Sequence, residues 1–208
     1  MSRLAVGQQT ALLRAAVEDI AAELAAAEPA PERAGPPSLV VLVGLPASGK
    51  SHLARLVAER LGAAIVSSDA LRRRLFVAPS YAATESRTVF ALVRALARRL
   101  LGHGRVVVVD ATNLRERDRA PLYAAAREAG APVVVVRVVA PEPITRERLG
   151  RRAGRTSTAD ASEADWAVYR MMRERYEAPA RPYLTVDTSE DSDHAVDSVV
   201  EAVRRASA

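Results

Sequence analysis

Apolar residues along this chain fall into two alternating rhythms. Five short runs are apolar almost without a break: residues 39–43, 63–66, 105–109, 133–139 and 184–186. Valine-rich runs of this length suit strands covered on both faces. Between them lie longer stretches with apolar residues at helical spacing. These predict helices over 50–61, from near Asp69, over 82–101, 116–129, 142–153, 163–177 and 192–205. Gly102 and Gly104 bracket a turn, and Gly130 ends the 116–129 helix. Strand and helix alternate throughout, which predicts a parallel sheet with helices on both sides. Five strands are enough for a three-layer α/β/α sandwich.

A further helix is predicted over 8–27, where Leu13, Val17, Ile20 and Leu24 recur at helical spacing. Pro29, Pro31, Gly35, Pro36 and Pro37 then break the pattern. Residues 1–37 therefore read as a helix with a Pro-rich linker, and 38–208 as the main domain. The helix is expected to pack on that domain or to pair with a second copy, so a monomer or a homodimer is expected.

Composition narrows the chemistry. The chain has no cysteine, which excludes disulfides and thiolate metal sites. His52, His103 and His194 are scattered. No apolar run approaches the 18 residues a membrane span needs, and the N-terminus lacks an apolar signal core. A cytoplasmic protein is expected. The net charge of +5 suits phosphate-bearing ligands without choosing among them. Lys50 is the only lysine in a chain that uses arginine for every other side-chain cation.

That lysine stands in Gly44-Leu45-Pro46-Ala47-Ser48-Gly49-Lys50-Ser51, the G-x-x-x-x-G-K-S pattern of a phosphate-binding loop. An apolar strand precedes it and a helix follows, as the pattern requires. Glycine lets backbone wrap closely around phosphate, and successive N–H groups at a helix N-terminus face the anion. Gly44, Pro46, Ala47, Ser48, Gly49, Lys50, Ser51 and the adjoining His52 are thus the expected nucleotide contacts. Lys50 is expected to reach the β- and γ-phosphates of ATP, and the Ser51 hydroxyl to ligate Mg²⁺.

Three other elements lie at strand ends or on a helix. Ser67-Ser68-Asp69-Ala70-Leu71-Arg72 follows the second strand. Asp69 there can accept a proton from an attacking hydroxyl, and it also suits the N-cap of the next helix. Arg72, one turn on, could hold substrate or phosphate. Val106 to Val109 lead into Asp110-Ala111-Thr112-Asn113. Asp110 is placed like a strand-end acid that holds Mg²⁺ through water or steers an active-site side chain, with Thr112 and Asn113 at the crevice edge, and the same residues also suit a plain strand-end turn. Arg146, Arg148, Arg151, Arg152 and Arg155 form a basic run, in which Arg148 and Arg152 are the first candidates for a helical lid that stabilises transferring phosphate, while a solvated basic face suits the run equally. Residues 154–163, small and polar, suit the lid tip.

In this order the four elements resemble the polynucleotide-kinase and zeta-toxin-like branch of P-loop kinases, which are AAA-type ATP-binding kinase domains. The resemblance covers about residues 38–190. It implies a P-loop NTPase fold with a five-stranded parallel sheet and an arginine-rich helical lid. It implies Asp69 as general base, Arg72 as a substrate or phosphate ligand, and lid arginines acting in the transition state. It also implies that Thr188, after the last strand, lies near the adenine. The expected function is transfer of the ATP γ-phosphate to a hydroxyl of a small molecule or of a nucleic-acid 5′ end. Tyr81 falls in the stretch where such enzymes bind acceptors, and core packing would suit it equally. His52 departs from the family, where a second hydroxyl residue often follows Ser51.

Two alternatives remain. One is a nucleotide-hydrolysing switch. A motor normally carries Asp-Glu at the strand-three acid, whereas Ala111 follows Asp110 here. With Lys50 the sole lysine, the N-K-x-D guanine motif of GTPases is impossible. The other alternative is a non-catalytic ATP-binding module.

Overall fold

The structure, a computed structural model, describes residues 18–23, 36–153, 159–189 and 192–208. Its strands are β1 (Ser38–Val43), β2 (Ala64–Ser67), β3 (Val106–Asp110), β4 (Val133–Val139) and β5 (Tyr183–Asp187). They form one sheet in the order β2-β3-β1-β4-β5, and every pairing is parallel. The helices are α1 (Lys50–Leu61), α2 (Ser68–Leu75), α3 (Ala83–Gly102), α4 (Glu116–Glu128), α5 (Glu142–Ala153), α6 (Ala159–Glu174) and α7 (Ser192–Ala206). The three-layer α/β/α expectation holds. The strand boundaries move by one or two residues: β1 starts at Ser38, and β5 runs from Tyr183 to Asp187.

Alternation along the strands divides the core in two. Leu39, Val41, Val43, Val107, Val109 and Val135 pack with Leu92, Leu96 and Leu100 of α3 and Leu122 of α4. Val40, Leu42, Val108, Val134 and Val136 pack with Leu53 and Val57 of α1 and with Val196, Val199 and Val203 of α7. Each such buried side chain contributes about 1.5–3 kcal/mol, so these two layers hold the sheet far more than surface ion pairs can.

This arrangement creates the crevice. β1 and β3 are neighbours, yet the chain leaves β1 for α1 on one face and leaves β3 for α4 on the other. Loops that diverge from adjacent parallel strands open a cleft at their carboxyl ends, where open α/β sheets bind ligands.

Of the helix expected over 8–27, residues 18–23 are helical, and the remainder lies outside the described residues, as do 28–35 of the linker. Ile20 and Ala21 are buried in the α3–α4 core layer. Glu18 pairs with Arg99 at 2.7 Å, and Glu23 pairs with Arg74. Burial of Ile20 is worth about 1.5–3 kcal/mol, against ~0–1 kcal/mol for each exposed ion pair. The apolar contact therefore dominates, and the ion pairs set the register of the segment on its own domain.

Candidate active site

The loop after β1 is built around two glycines. Gly49 has φ 88°, the left-handed region that L side chains rarely adopt. A Cβ there would lie 2.6 to 2.8 Å from the Thr188 side chain. At Gly44 a Cβ would meet the Val138 carbonyl oxygen at 2.4 Å. Both glycines are therefore required by close approach, and the loop encloses a space that backbone N–H groups can line. Lys50, at the first position of α1, is buried and folds back over the loop. Its Nζ donates to Leu45 O at 2.6 Å and to Ser48 Oγ at 3.3 Å. Ser51 and His52 follow on the exposed side of α1. This cradle and its donors fit a nucleotide polyphosphate.

Thr188 backs the loop. Its Oγ1 donates to Ser48 O at 2.9 Å. Arg148 Nη1 donates to Thr188 Oγ1 at 2.9 Å and to Ala47 O at 3.3 Å, and its Nη2 donates to Thr188 O at 2.9 Å. Arg148 thus ties α5 to the phosphate loop and to the turn after β5. A small apolar cluster accompanies it. Leu45 and Ala47 pack with Leu149, Tyr169 and Trp166, and the two rings stack at 4.7 Å. Arg146 lies 5.3 Å from the Trp166 ring, and Arg151 pairs with Glu147 at 2.6 Å. Arg155 and the Arg152 side chain lie outside the described residues.

The carboxylates stand at strand ends. Asp110 closes β3 and is buried, opposite Ser67 in the β2–β3 register. Ser67 Oγ donates to Asp110 Oδ2 at 3.4 Å. Asp69 follows in the first turn of α2 and is exposed, with no hydrogen-bond or ion-pair partner among the described residues. The helix cap is Ser67, whose Oγ accepts from the Ala70 N–H at 3.4 Å. The capping role open to Asp69 therefore belongs to Ser67. Two strand spacings, about 10 Å, separate the β2 axis from the β1 axis.

Arg72 is buried. Its Nη1 pairs with Glu85 at 2.5 Å, its Nη2 reaches Ser86 Oγ at 3.4 Å, and its guanidinium lies 4.5 Å from the Tyr81 ring centroid. Burial works against ionisation of Glu85. Hydrogen bonds from Arg72, from the Ser80 hydroxyl and from the Ser80 and Tyr81 N–H groups outweigh it and bring the pKa from 4.5 down to about 2. A depressed carboxylate pKa stabilises the fold fully above about 4.5, and the contribution disappears as pH falls through about 2. The protection factors of the Ser80 and Tyr81 amides, corrected for the intrinsic pH dependence of exchange, are accordingly expected to fall only as acid carries the protein below pH 4.5. A fall in protection already near pH 6 would contradict this charge state.

Asn113 turns inward. It is fully buried, with φ 46°, and its Nδ2 donates to Leu42 O at 2.8 Å. The crevice-edge expectation for it is corrected: the side chain pins the β3 turn to β1. Thr112 O accepts from the Gly44 N–H at 3.1 Å, which joins the same turn to the phosphate loop. The residue that sequence reading missed is Arg119. It is fully buried and donates to Asn113 O at 2.8 Å, to Glu116 Oε2 at 3.0 Å, and to Glu177 O and Ala178 O at 3.0 and 3.2 Å. Nothing in its local sequence distinguishes it from the exposed arginines on either side.

Comparison with known proteins agrees with this geometry. The profile of the AAA domain family matches residues 39–179. An uncharacterized protein of Mycobacterium tuberculosis strain H37Rv is 34% identical over 148 residues, which is 62% of this chain and 30% of the relative. The chain thus matches less than a third of the length of that curated relative. Kti12 of Chaetomium thermophilum, solved with ADP-AlF3, superposes with a TM-score of 0.65 at 26% identity, covering 82% of this chain and 99% of that one. The Mycobacterium tuberculosis APS kinase CysC, solved with AMPPNP and APS, has a TM-score of 0.62 at 21% identity, with 82% and 99% covered. No helix among the described residues is long and apolar enough to cross a membrane. The chain belongs to the AAA domain family, and it has the fold of the P-loop kinases.

Proposed function

We propose that this chain is an ATP-dependent phosphotransferase that moves the γ-phosphate of ATP to a hydroxyl. The observation that carries the reading is the loop itself, in which Lys50 Nζ sits at 2.6 Å from Leu45 O above a left-handed Gly49. A bound polyphosphate would take that ammonium over from the carbonyl and Ser48. Gly44, Pro46, Ala47, Ser48 and Gly49 would present backbone to the phosphates, and His52 would border the α-phosphate. Thr188 would flank the nucleotide behind Gly49. Ser51 and, through water, Asp110 would hold Mg²⁺, which supplies charge neutralisation on the phosphates. A monomer accords with residues 18–23 docking on their own domain, a homodimer is the alternative, and the cytoplasm is the proposed location.

In the reaction the acceptor oxygen forms a bond to the γ-phosphorus, and the bond from that phosphorus to the bridging oxygen breaks. ADP leaves with the electron pair. The acceptor proton passes to Asp69, which is exposed in the α2 first turn. Arg148, already at the loop, and Arg152 would stabilise the equatorial oxygens. Charge-compensating groups of this kind act by positioning and electrostatics.

Labelled γ-phosphate transfer to a panel of hydroxyl compounds tests this. Asp69→Asn is expected to lower kcat by about 10²–10⁴-fold with ATP affinity unchanged. Full activity in that variant would remove Asp69 from the mechanism. Release of free phosphate at a rate no acceptor alters would favour the nucleotide-hydrolysing switch.

A further inference from the structure

The loop between α2 and α3 holds its aromatic residue in an unusual way. Tyr81 has φ 57°, a conformation that strains a bulky side chain. Strain of this kind persists only where the surroundings over-determine it. Here they do. The Tyr81 N–H donates to Glu85 Oε1 at 3.3 Å, and the N–H and hydroxyl of neighbouring Ser80 donate to Glu85 Oε2 at 2.8 and 2.7 Å. One face of the ring rests on the Arg72 guanidinium. Yet Tyr81 is 64% exposed, and Val77 of the same loop is exposed as well. A rigidly held ring with an open face is costly to a fold and useful to a ligand.

Its place is equally specific. Arg72 follows Asp69 by three residues on α2, a rise of about 4.5 Å. Arg72 thus stands about one helical turn from Asp69, the residue assigned to the acceptor proton, and carries the ring on its guanidinium. The charge around it is matched. The buried Arg72–Glu85 pair cancels, and Arg72 Nε is left without a hydrogen-bond partner among the described residues. Of the other arginines on these two helix ends, Arg73, Arg74 and Arg87 are exposed, and Arg74 pairs with Glu23.

We propose that Tyr81 is the acceptor platform, and that it selects an uncharged hydroxyl compound with a flat or apolar face, of the nucleoside or sugar class, over a nucleic-acid end. The inference rests on the phosphotransfer reading of the same site. Arg72 and Glu85 are then positioning residues: they hold the ring, and as a matched pair they put no net charge directly beneath it.

The test pairs each neutral nucleoside or sugar with its phosphorylated counterpart and with a 5′-OH oligonucleotide. Binding is read by ligand-observed NMR and transfer by label from γ-labelled ATP. Neutral acceptors are expected to bind and to be labelled. Tyr81→Ala is expected to raise their KM about ten- to a hundredfold with kcat and ATP affinity little changed, and Tyr81→Phe to restore it. Glu85→Gln, which leaves the Arg72 charge unmatched, is expected to shift preference towards the phosphorylated partner. Label confined to phosphorylated acceptors or oligonucleotides would overturn the platform and leave the kinase reading standing. Tyr81-dependent binding of neutral compounds without any transfer would overturn the kinase reading, and the acceptor role with it. An acceptor KM indifferent to Tyr81→Ala would overturn the platform alone.

Discussion

Gly49→Ala is expected to abolish useful nucleotide binding while leaving the protein folded. Two costs combine at this position. The first is backbone strain: a left-handed φ of 88° costs an alanine about 1–2 kcal/mol. The second is contact. The new Cβ would sit 2.6 Å from Thr188 Oγ1 and 2.8 Å from its Cβ and Cγ2. Thr188 cannot swing aside cheaply, because Ser48 O and the Arg148 guanidinium hold it from both sides. The displacement must therefore fall on the phosphate loop. A loss of at least about a hundredfold in ATP affinity, ~2.7 kcal/mol, is expected by calorimetric titration. Gly130→Ala is the matched control. Gly130 also has a left-handed φ of 64°, but a Cβ there meets nothing within 4 Å. It should show the strain cost in unfolding and no change in ATP affinity. Equal affinities for the two variants would mean that the loop does not contact nucleotide through this turn.

Arg119→Ala is expected to lower the unfolding free energy by roughly 3–5 kcal/mol, the range for breaking a buried charged interaction. The guanidinium has no exposed surface and serves three carbonyls and one carboxylate. Removal strands the carbonyl of buried Asn113 and takes from those of Glu177 and Ala178 the donor that ties them to α4. Arg119→Lys should rescue little, because a single ammonium cannot span acceptors placed for a planar fork. Urea unfolding measures both variants. The consequence should reach the site, since Asn113 holds the β3 turn to Leu42 and Thr112 O holds it to Gly44. A loss below about 1 kcal/mol would show that the hub is redundant.

These two residues mark the boundary between local and global information. The Gly49-Lys50-Ser51 signature was legible because its chemistry is local: eight consecutive residues between a strand and a helix build the loop. The five strands were legible for a similar reason. A parallel sheet buried on both faces demands unbroken apolar runs, and the valines of 106–109 and 133–136 supply them. The N-cap of α2 was not legible: in sequence Asp69 suited it, and only the backbone turn gave it to Ser67.

By itself, the amino-acid sequence determined the α/β alternation, the phosphate loop, the strand-end acids Asp69 and Asp110, and the absence of thiol chemistry. Tertiary structure alone decided how residues far apart in the chain share one site. It brought Thr188 behind Gly49 and Arg148 onto Thr188 and Ala47. It turned Asn113 inward and buried Arg119, although Arg115 and Arg117 nearby are not buried. It matched the Arg72 charge with Glu85 and set the Tyr81 ring upon that pair. The physical reason is common to all of these. Arginine, threonine and asparagine look alike in sequence whether solvated or buried, and their roles are set by which carbonyls and carboxylates the fold leaves needing partners.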